Sequence, residues 1–94
     1  MNGYNIGDFA LSLAGHDKGK YYVIYHGCSE YVYLVDGKIR KLDRMKKKKL
    51  KHVTILKQSE QSLTDKIIRG VVKDEEIKRA IKLLQQSKGG NPPK

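Results

Sequence analysis

The fold class is decided by residues 21–35, YYVIYHGCSEYVYLV, in which two runs of five residues flank a polar break. Residues 21–25 and 31–35 are rich in aromatic and β-branched side chains, which suit the pleated surface of a strand. The break between them is polar and contains glycine and serine, which are typical of turns. This stretch therefore predicts two consecutive strands that are joined by a short turn.

A strand is also predicted upstream of this pair. Residues 8–14 alternate along the chain and place Phe9, Leu11 and Leu13 on one face. Residues 15–20 have the composition of a turn and join this strand to the next one. The N-terminal part of the chain is therefore predicted to form a hairpin.

Two more strands are predicted downstream. Asp36-Gly37 favours a two-residue hairpin turn, because such turns need positive φ and this dipeptide supplies it. The turn leads into a fourth strand at residues 38–42, and residues 52–56 form a fifth. Residues 43–51 are dominated by lysine and are predicted to form a solvated loop between them. Five short strands with tight turns indicate a small barrel or a strongly bent sheet.

The last third of the chain is predicted to be helical. Ser62 and Asp65 have the spacing of a capping box at a helix start, and Gly70 favours an early end of that helix. A second helical run carries an apolar stripe at positions i, i+3, i+4 and i+7 and ends at glycine and proline. The stripe consists of Ile77, Ala80, Ile81 and Leu84.

The chain is thus predicted to have three parts: a β-barrel domain at residues 1–57, a helical segment at 58–88 and a flexible tail at 89–94. No run approaches the roughly 18–20 apolar residues of a membrane span, and the N-terminus lacks the pattern of a secretory signal. A single cysteine, Cys28, cannot form an internal disulfide. These features favour a cytoplasmic protein without a membrane partner.

Positive charge is concentrated in one short region of the chain. The formal net charge is +10. Residues 38–57 hold ten basic residues against Asp43 alone, whereas residues 1–37 carry a net charge of −2 and residues 58–94 carry +3. Such a concentration attracts a polyanion by electrostatic steering and counterion release. The alternative is a lysine surface that only favours solubility, but such surfaces usually mix both signs.

No arrangement of residues in the sequence indicates catalysis. His16 and Asp17 are adjacent, but neighbours in a turn point apart, and no serine or cysteine stands beside them at a motif spacing. Cys28 near His26 lacks the further ligands of a zinc site. There is no glycine-rich phosphate loop of the P-loop pattern. We predict that the protein is not an enzyme and uses no metal and no cofactor.

The turn at residues 15–20 resembles the KOW motif of several ribosomal proteins and transcription elongation factors. In that family a strand ends in a turn of the pattern G-x-x-K-G-K, and a second strand follows. Here the turn reads Gly15-His16-Asp17-Lys18-Gly19-Lys20. The resemblance covers about residues 5–57, and the chain is also similar to small bacterial stand-alone KOW proteins. It implies an SH3-like five-stranded barrel that binds RNA, with the C-terminal helical segment following it.

Two groups of residues are predicted to contact RNA. Within the turn, Gly19 can adopt positive φ without steric cost, and Lys18 and Lys20 flank amides that are predicted to be exposed to phosphate. The resemblance assigns to the site Gly15, His16, Lys18, Gly19 and Lys20. The charge pattern adds basic residues that reach phosphates and, for arginine, stack on bases. These are Lys38, Arg40, Lys41, Arg44, Lys46, Lys47, Lys48, Lys49 and Lys51.

The strand tyrosines are predicted to pack rather than to bind. Such residues commonly lie at the rim of a core with the hydroxyl group in water, although exposed rings stack on unpaired bases in RNA-binding sheets. Alternation turns only some of them outward, and none is assigned to the site. The residues concerned are Tyr21, Tyr22, Tyr25, Tyr31 and Tyr33.

The favoured function is RNA binding in association with ribosomal RNA or the ribosome, including contacts with ribosomal proteins. One alternative is a protein-interaction module in transcription or translation, in which the apolar stripe of the C-terminal helix faces a partner. DNA binding is a third hypothesis, because charge alone does not distinguish the two nucleic acids.

Overall fold

The computed structural model describes residues 3–57 and 60–89 as five strands and two helices. The strands are β1 (Phe9–Ser12), β2 (Tyr21–Gly27), β3 (Tyr31–Val35), β4 (Lys46–Lys49) and β5 (Val53–Lys57). The helices are α1 (Gln61–Arg69) and α2 (Asp74–Gly89), and a turn of 3₁₀ helix covers Leu50–His52. Apart from Gly89, the predicted tail at 89–94 lies outside the described residues.

All five strands belong to one antiparallel sheet in the order β4-β3-β2-β1-β5. The first four strands form a meander, and β5 returns to pair with β1. The register shifts between Phe9 and Ala10 and again between Ile24 and His26. Such irregularities bend a sheet and increase its twist. The prediction of a five-stranded β fold followed by helices is therefore confirmed at this level.

Both faces of the sheet contribute residues to a buried core cluster. One face packs against the helices through Phe9, Val23 and Val35. The helices contribute to this cluster Leu63, Ile67, Val72, Ile77, Ile81 and Leu84. The opposite face holds a second cluster of Ala10, Tyr22, Ile24, Val32, Leu34 and Val53. Strand β1 therefore has buried residues on both of its faces. The predicted apolar face does not extend to Leu13, which lies beyond the strand and is 44% exposed.

The apolar stripe of α2 forms part of the helix-side core. Ile77, Ile81 and Leu84 are buried, and Ala80 packs against the same cluster. The stripe therefore faces the sheet and not a partner. Within the described residues, neither helix has the length and apolar character that crossing a bilayer requires.

The boundaries of α1 agree with the sequence at one end only. Gly70 ends the helix in the left-handed conformation, with φ of 73°, as predicted. The N-cap residue is Glu60, so the predicted capping box at Ser62 is wrong. Asp65 instead accepts a hydrogen bond from Gln61 Nε2 at 3.0 Å, one helical turn away.

The predicted fourth strand at residues 38–42 is wrong, because these residues form a loop. The Asp36 carboxylate accepts hydrogen bonds from three successive backbone amides at 2.8, 3.1 and 2.8 Å. An aspartate that satisfies its own neighbours in this way favours a turn over a strand ladder. Gly37 does have positive φ, at 77°. The fourth strand is instead β4, which is the lysine run itself. The prediction of a solvated loop at residues 43–51 is therefore wrong, because this segment contains β4 and most of the 3₁₀ turn.

Candidate nucleic-acid interface

The lysines of β4 lie in two different environments. Because β4 pairs with β3, its alternate side chains lie on opposite faces of the sheet. Lys46 and Lys48 stand opposite buried residues of β3, on the side of the second core cluster. Lys47 and Lys49 stand opposite the two tyrosines of β3 and are exposed. The sequence predicts these four residues as one solvated group, and strand geometry divides them.

The inward lysines hold the turn at residues 15–20 against β4. The Lys48 ammonium donates hydrogen bonds to the carbonyl oxygen of Ala14 at 2.8 Å and to Oδ1 of Asp17 at 2.9 Å. The Lys46 ammonium lies 3.8 Å from Oδ2 of Asp17. The Lys48 side chain is only 10% exposed, so its role is structural and little of it can reach RNA. The structure thus brings together the two regions that were predicted separately as contacts.

Asp17 is the centre of this buried polar network, which the sequence did not reveal. It also accepts hydrogen bonds from Ser12 Oγ at 2.8 Å and from the Tyr22 hydroxyl at 2.9 Å. Burial alone raises the pKa of Asp17, but the hydrogen bonds from Lys48, Ser12 and Tyr22 outweigh it and lower the pKa to about 2. Burial and the bond to Asp17 raise the pKa of Tyr22, which keeps the hydroxyl protonated.

The network makes stability depend on acid pH. The pKa of Asp17 falls from 3.8 to about 2 on folding, which corresponds to about 2 kcal/mol. Because the folded pKa is the lower one, this contribution is complete above about pH 4 and is lost as the pH falls towards 2. We expect urea unfolding to show a loss of this size across the window that is absent from Asp17→Asn. Parallel losses in both proteins would contradict the prediction.

The turn at residues 15–20 is closed by its own hydrogen bonds. Gly15 and Gly19 have φ of 87° and 89°, which confirms the positive φ predicted for Gly19. The amides of Lys18, Gly19 and Lys20 donate to carbonyl oxygens of the turn and of β1 at 2.9–3.2 Å. The prediction that these amides are open to phosphate is therefore wrong. The side chains of Lys18 and Lys20 are exposed, and they are what the turn offers to an anion.

A row of aromatic and cationic side chains lies on the face of β2, β3 and β4 away from the second cluster. The rings of His26 and Tyr33 stack, with centroids 5.8 Å apart and planes inclined by 26°. The Lys47 ammonium lies 4.4 Å from the centroid of the Tyr31 ring, within the range of a cation–π contact. We call the following residues the aromatic–lysine face: His26, Tyr31, Tyr33, Lys47 and Lys49.

The strand tyrosines fall into a packed group and an outward group, as the alternation of side chains along a strand predicts. The two outward tyrosines belong to the candidate site, which the sequence did not predict. Tyr22 is buried, and Tyr21 and Tyr25 pack against the helix-side cluster. Tyr31 and Tyr33 are half-buried beside the outward lysines. The only signal in the sequence for this pair is their alternation, and it becomes informative once the lysine run is known to be the neighbouring strand.

The remaining predicted contacts lie in loops and turns. Exposed side chains belong to His16, Lys38, Lys41, Arg44 and Lys51. Arg40 is half-buried, and its Nη1 donates to the carbonyl oxygen of Arg44 at 3.4 Å, a long bond. In residues 3–57 and 60–89 there is no group of three histidine, cysteine, aspartate or glutamate side chains arranged to hold a metal ion.

Comparison with known proteins leaves the family of this chain open. No protein-family model matches the sequence, and no curated protein matches it. The KOW resemblance of residues 5–57 stays a prediction.

Proposed function

We propose that the protein binds RNA through the aromatic–lysine face and the exposed lysines of the 15–20 turn, and that it acts at ribosomal RNA or the ribosome. The observation that carries the proposal is the alternation on β4, which sets Lys47 and Lys49 beside the tyrosines of β3. Ammonium groups contact phosphates and rings stack on unpaired bases, and single-stranded regions of RNA present both.

The distribution of charge supports the same surface. Lys46 and Lys48 contact Asp17, and their side chains are 27% and 10% exposed, whereas Lys47 and Lys49 are exposed residues. A cavity of about 540 Å³ beside them is lined by Tyr31 and by two lysines against one acidic residue. The charged residues are Lys49, Lys51 and Glu30. Positive charge next to an aromatic wall suits a nucleotide, whose phosphate and base need different partners.

The strand arrangement is compatible with the SH3-like barrel that the KOW resemblance implies. A four-strand meander is followed by a strand that returns to the first, and two irregular registers bend the sheet. Lys48 holds the 15–20 turn against β4, so the exposed lysines of the turn lie near the strand that carries Lys47 and Lys49.

The proposal is tested with a variant carrying Lys47→Glu and Lys49→Glu. We expect about a tenfold or greater loss of affinity for a fluorescently labelled RNA stem-loop, since two phosphate contacts become repulsive. The slope of log affinity against log salt should become shallower by about 1.4. Co-sedimentation with ribosomes at moderate salt should be lost. Lys46 and Lys48 stay unchanged, so that the Asp17 network and the strand are preserved.

The matched control carries Lys73→Glu and Arg79→Glu, which change the net charge equally at exposed positions outside the sheet. It should bind RNA like the wild type after allowance for a small, general charge effect. Equal losses in both variants, or no loss in the first, would argue against the aromatic–lysine face. A duplex DNA of the same sequence serves as competitor, and stronger binding to it would replace RNA with DNA as the ligand. RNA binding without pelleting would restrict the function to free RNA.

A further inference from the structure

A second basic surface lies between the 15–20 turn and the C-terminal helix. A groove of about 370 Å³ is bounded by the end of the turn, the loop at residues 36–39 and one face of α2. Four exposed lysines line it, and they come from all three of these elements. They are Lys20, Lys38, Lys78 and Lys82. The groove is separate from the aromatic–lysine face, and the charge pattern of residues 38–57 does not reveal its helical wall.

The two lysines of α2 are placed at a cost to the helix. Lys78 and Lys82 are four residues apart, so their side chains lie on the same face and repel each other. Both are directed to the groove and not spread around the helix. A bound anion between the walls would reduce this repulsion, and a cleft lined by charges of one sign attracts a ligand of the opposite sign.

One acidic residue lines the groove and offsets one of the four lysine charges, which leaves the described lining with a net charge of +3. Asp36 lines the groove, but its Oδ1 already accepts three backbone amides of its own loop, from Lys38, Ile39 and Arg40. Its carboxylate is therefore committed to holding the loop in shape. Among the described residues that line the groove, four ammonium groups face one carboxylate.

The walls of the groove are held in place before any ligand arrives. The backbone of Gly37 packs directly against the backbone of α2 at Asp74 and Lys78. The amide of Leu42 donates to Oδ1 of Asp74 at 2.8 Å, which fixes the other end of the loop to the same helix. Prearranged walls reduce the entropy lost when a ligand is bound.

We infer that this groove binds a phosphate group of the RNA backbone, and that α2 is therefore part of the RNA-binding surface. The inference rests on the proposed RNA-binding function and adds to it a second contact. Phosphate contacts position a nucleic acid without reading its sequence. The groove would thus fix the direction of the strand whose unpaired bases lie on the aromatic–lysine face.

The test is a variant with Lys78→Ala and Lys82→Ala, which removes the helical wall's charge and keeps good helix formers. We expect affinity for the labelled RNA stem-loop to fall about three- to tenfold, and the salt slope to become shallower by about 1.4 for two lost contacts. Lys20→Ala with Lys38→Ala, on the opposite walls, should give a loss of similar size. Thermal melting followed by circular dichroism verifies that each variant is folded.

The matched control is Lys73→Ala with Arg79→Ala, which removes the same charge outside the groove. Its affinity should stay within about twofold of the wild type. If the Lys78/Lys82 variant binds like the wild type, or no worse than this control, the groove is not a phosphate site. If the Lys47/Lys49 variant still shows its loss of RNA affinity in that case, the proposed function remains supported. If the wild type itself does not bind the RNA, both the groove and the proposed function are overturned.

Discussion

Replacing Asp17 by asparagine should lower the free energy of unfolding by about 2–3 kcal/mol. In a domain of this size such a loss corresponds to a fall in melting temperature of roughly 10–20 °C. The change keeps the size of the side chain but removes the charge that the Lys48 ammonium contacts at 2.9 Å. The amide oxygen of asparagine can still accept a hydrogen bond, but the enclosed Lys48 ammonium, which also donates to the Ala14 carbonyl oxygen, loses its counter-ion. An enclosed charge without a counter-ion is more costly than the pair it came from.

A double-mutant cycle isolates this pair from the rest of the network. Lys48→Met removes the ammonium and keeps the length of the side chain, and the cycle combines it with Asp17→Asn. We expect a coupling energy of about 1–2 kcal/mol, because the two single changes remove the same interaction. Asp43→Asn, at an exposed position, is the control and should stay within about 0.5 kcal/mol of the wild type. Additive effects in the cycle would show that Asp17 acts through Ser12 and Tyr22 instead.

The elements predicted correctly are those with a strong local pattern. Strand β3 has the predicted bounds, β2 extends the predicted strand at its C-terminal end, and β5 differs by one residue at each end. The stripe of α2 can be recognised in the sequence because its apolar side chains recur at helical spacing. They have this spacing because one face of the helix packs against the sheet. In each of these segments, packing and local preference point to the same structure.

Strand β4 was missed because it contains no such pattern. Four consecutive lysines have no alternation of apolar and polar residues, and lysine is not a strong strand former. The strand is specified by partners that are distant in sequence: the tyrosine-rich β3 and, for its inward side chains, Asp17. Lysine is nevertheless suited to this position, because β4 lies at the edge of the sheet and charge discourages pairing with another chain.

The sequence predicts which segments contain the candidate site, but not which of their side chains are exposed and lie side by side. The sequence places positive charge at residues 38–57 and a basic turn at 15–20, and the two regions do meet. It does not show that Lys48 is enclosed while Lys47 is open, because this depends on which strand lies alongside. It also does not show that α2 brings two lysines to the turn, since that contact depends on how the helix packs.

The second large effect is expected at Gly37. The Asp-Gly pair predicts positive φ there, and φ is 77°, but the sequence does not predict what the residue packs against. A Cβ atom at this position would overlap the Asp74 carbonyl oxygen and lie 2.8 Å from the Lys78 amide nitrogen. Both are backbone atoms of α2 and cannot rotate away. Gly37→Ala therefore combines the cost of positive φ, about 1 kcal/mol, with a clash worth about 2 kcal/mol or more.

Gly70→Ala separates these two costs. Gly70 has a similar φ of 73°, and a Cβ atom there would meet no heavy atom within 4 Å. We expect urea denaturation to give a loss of about 1 kcal/mol for Gly70→Ala and about 3 kcal/mol for Gly37→Ala. The difference measures how closely the 36–42 loop packs on α2. Equal losses would mean that the loop moves away from the helix at little cost. The groove would then lack the fixed walls on which the second phosphate contact depends.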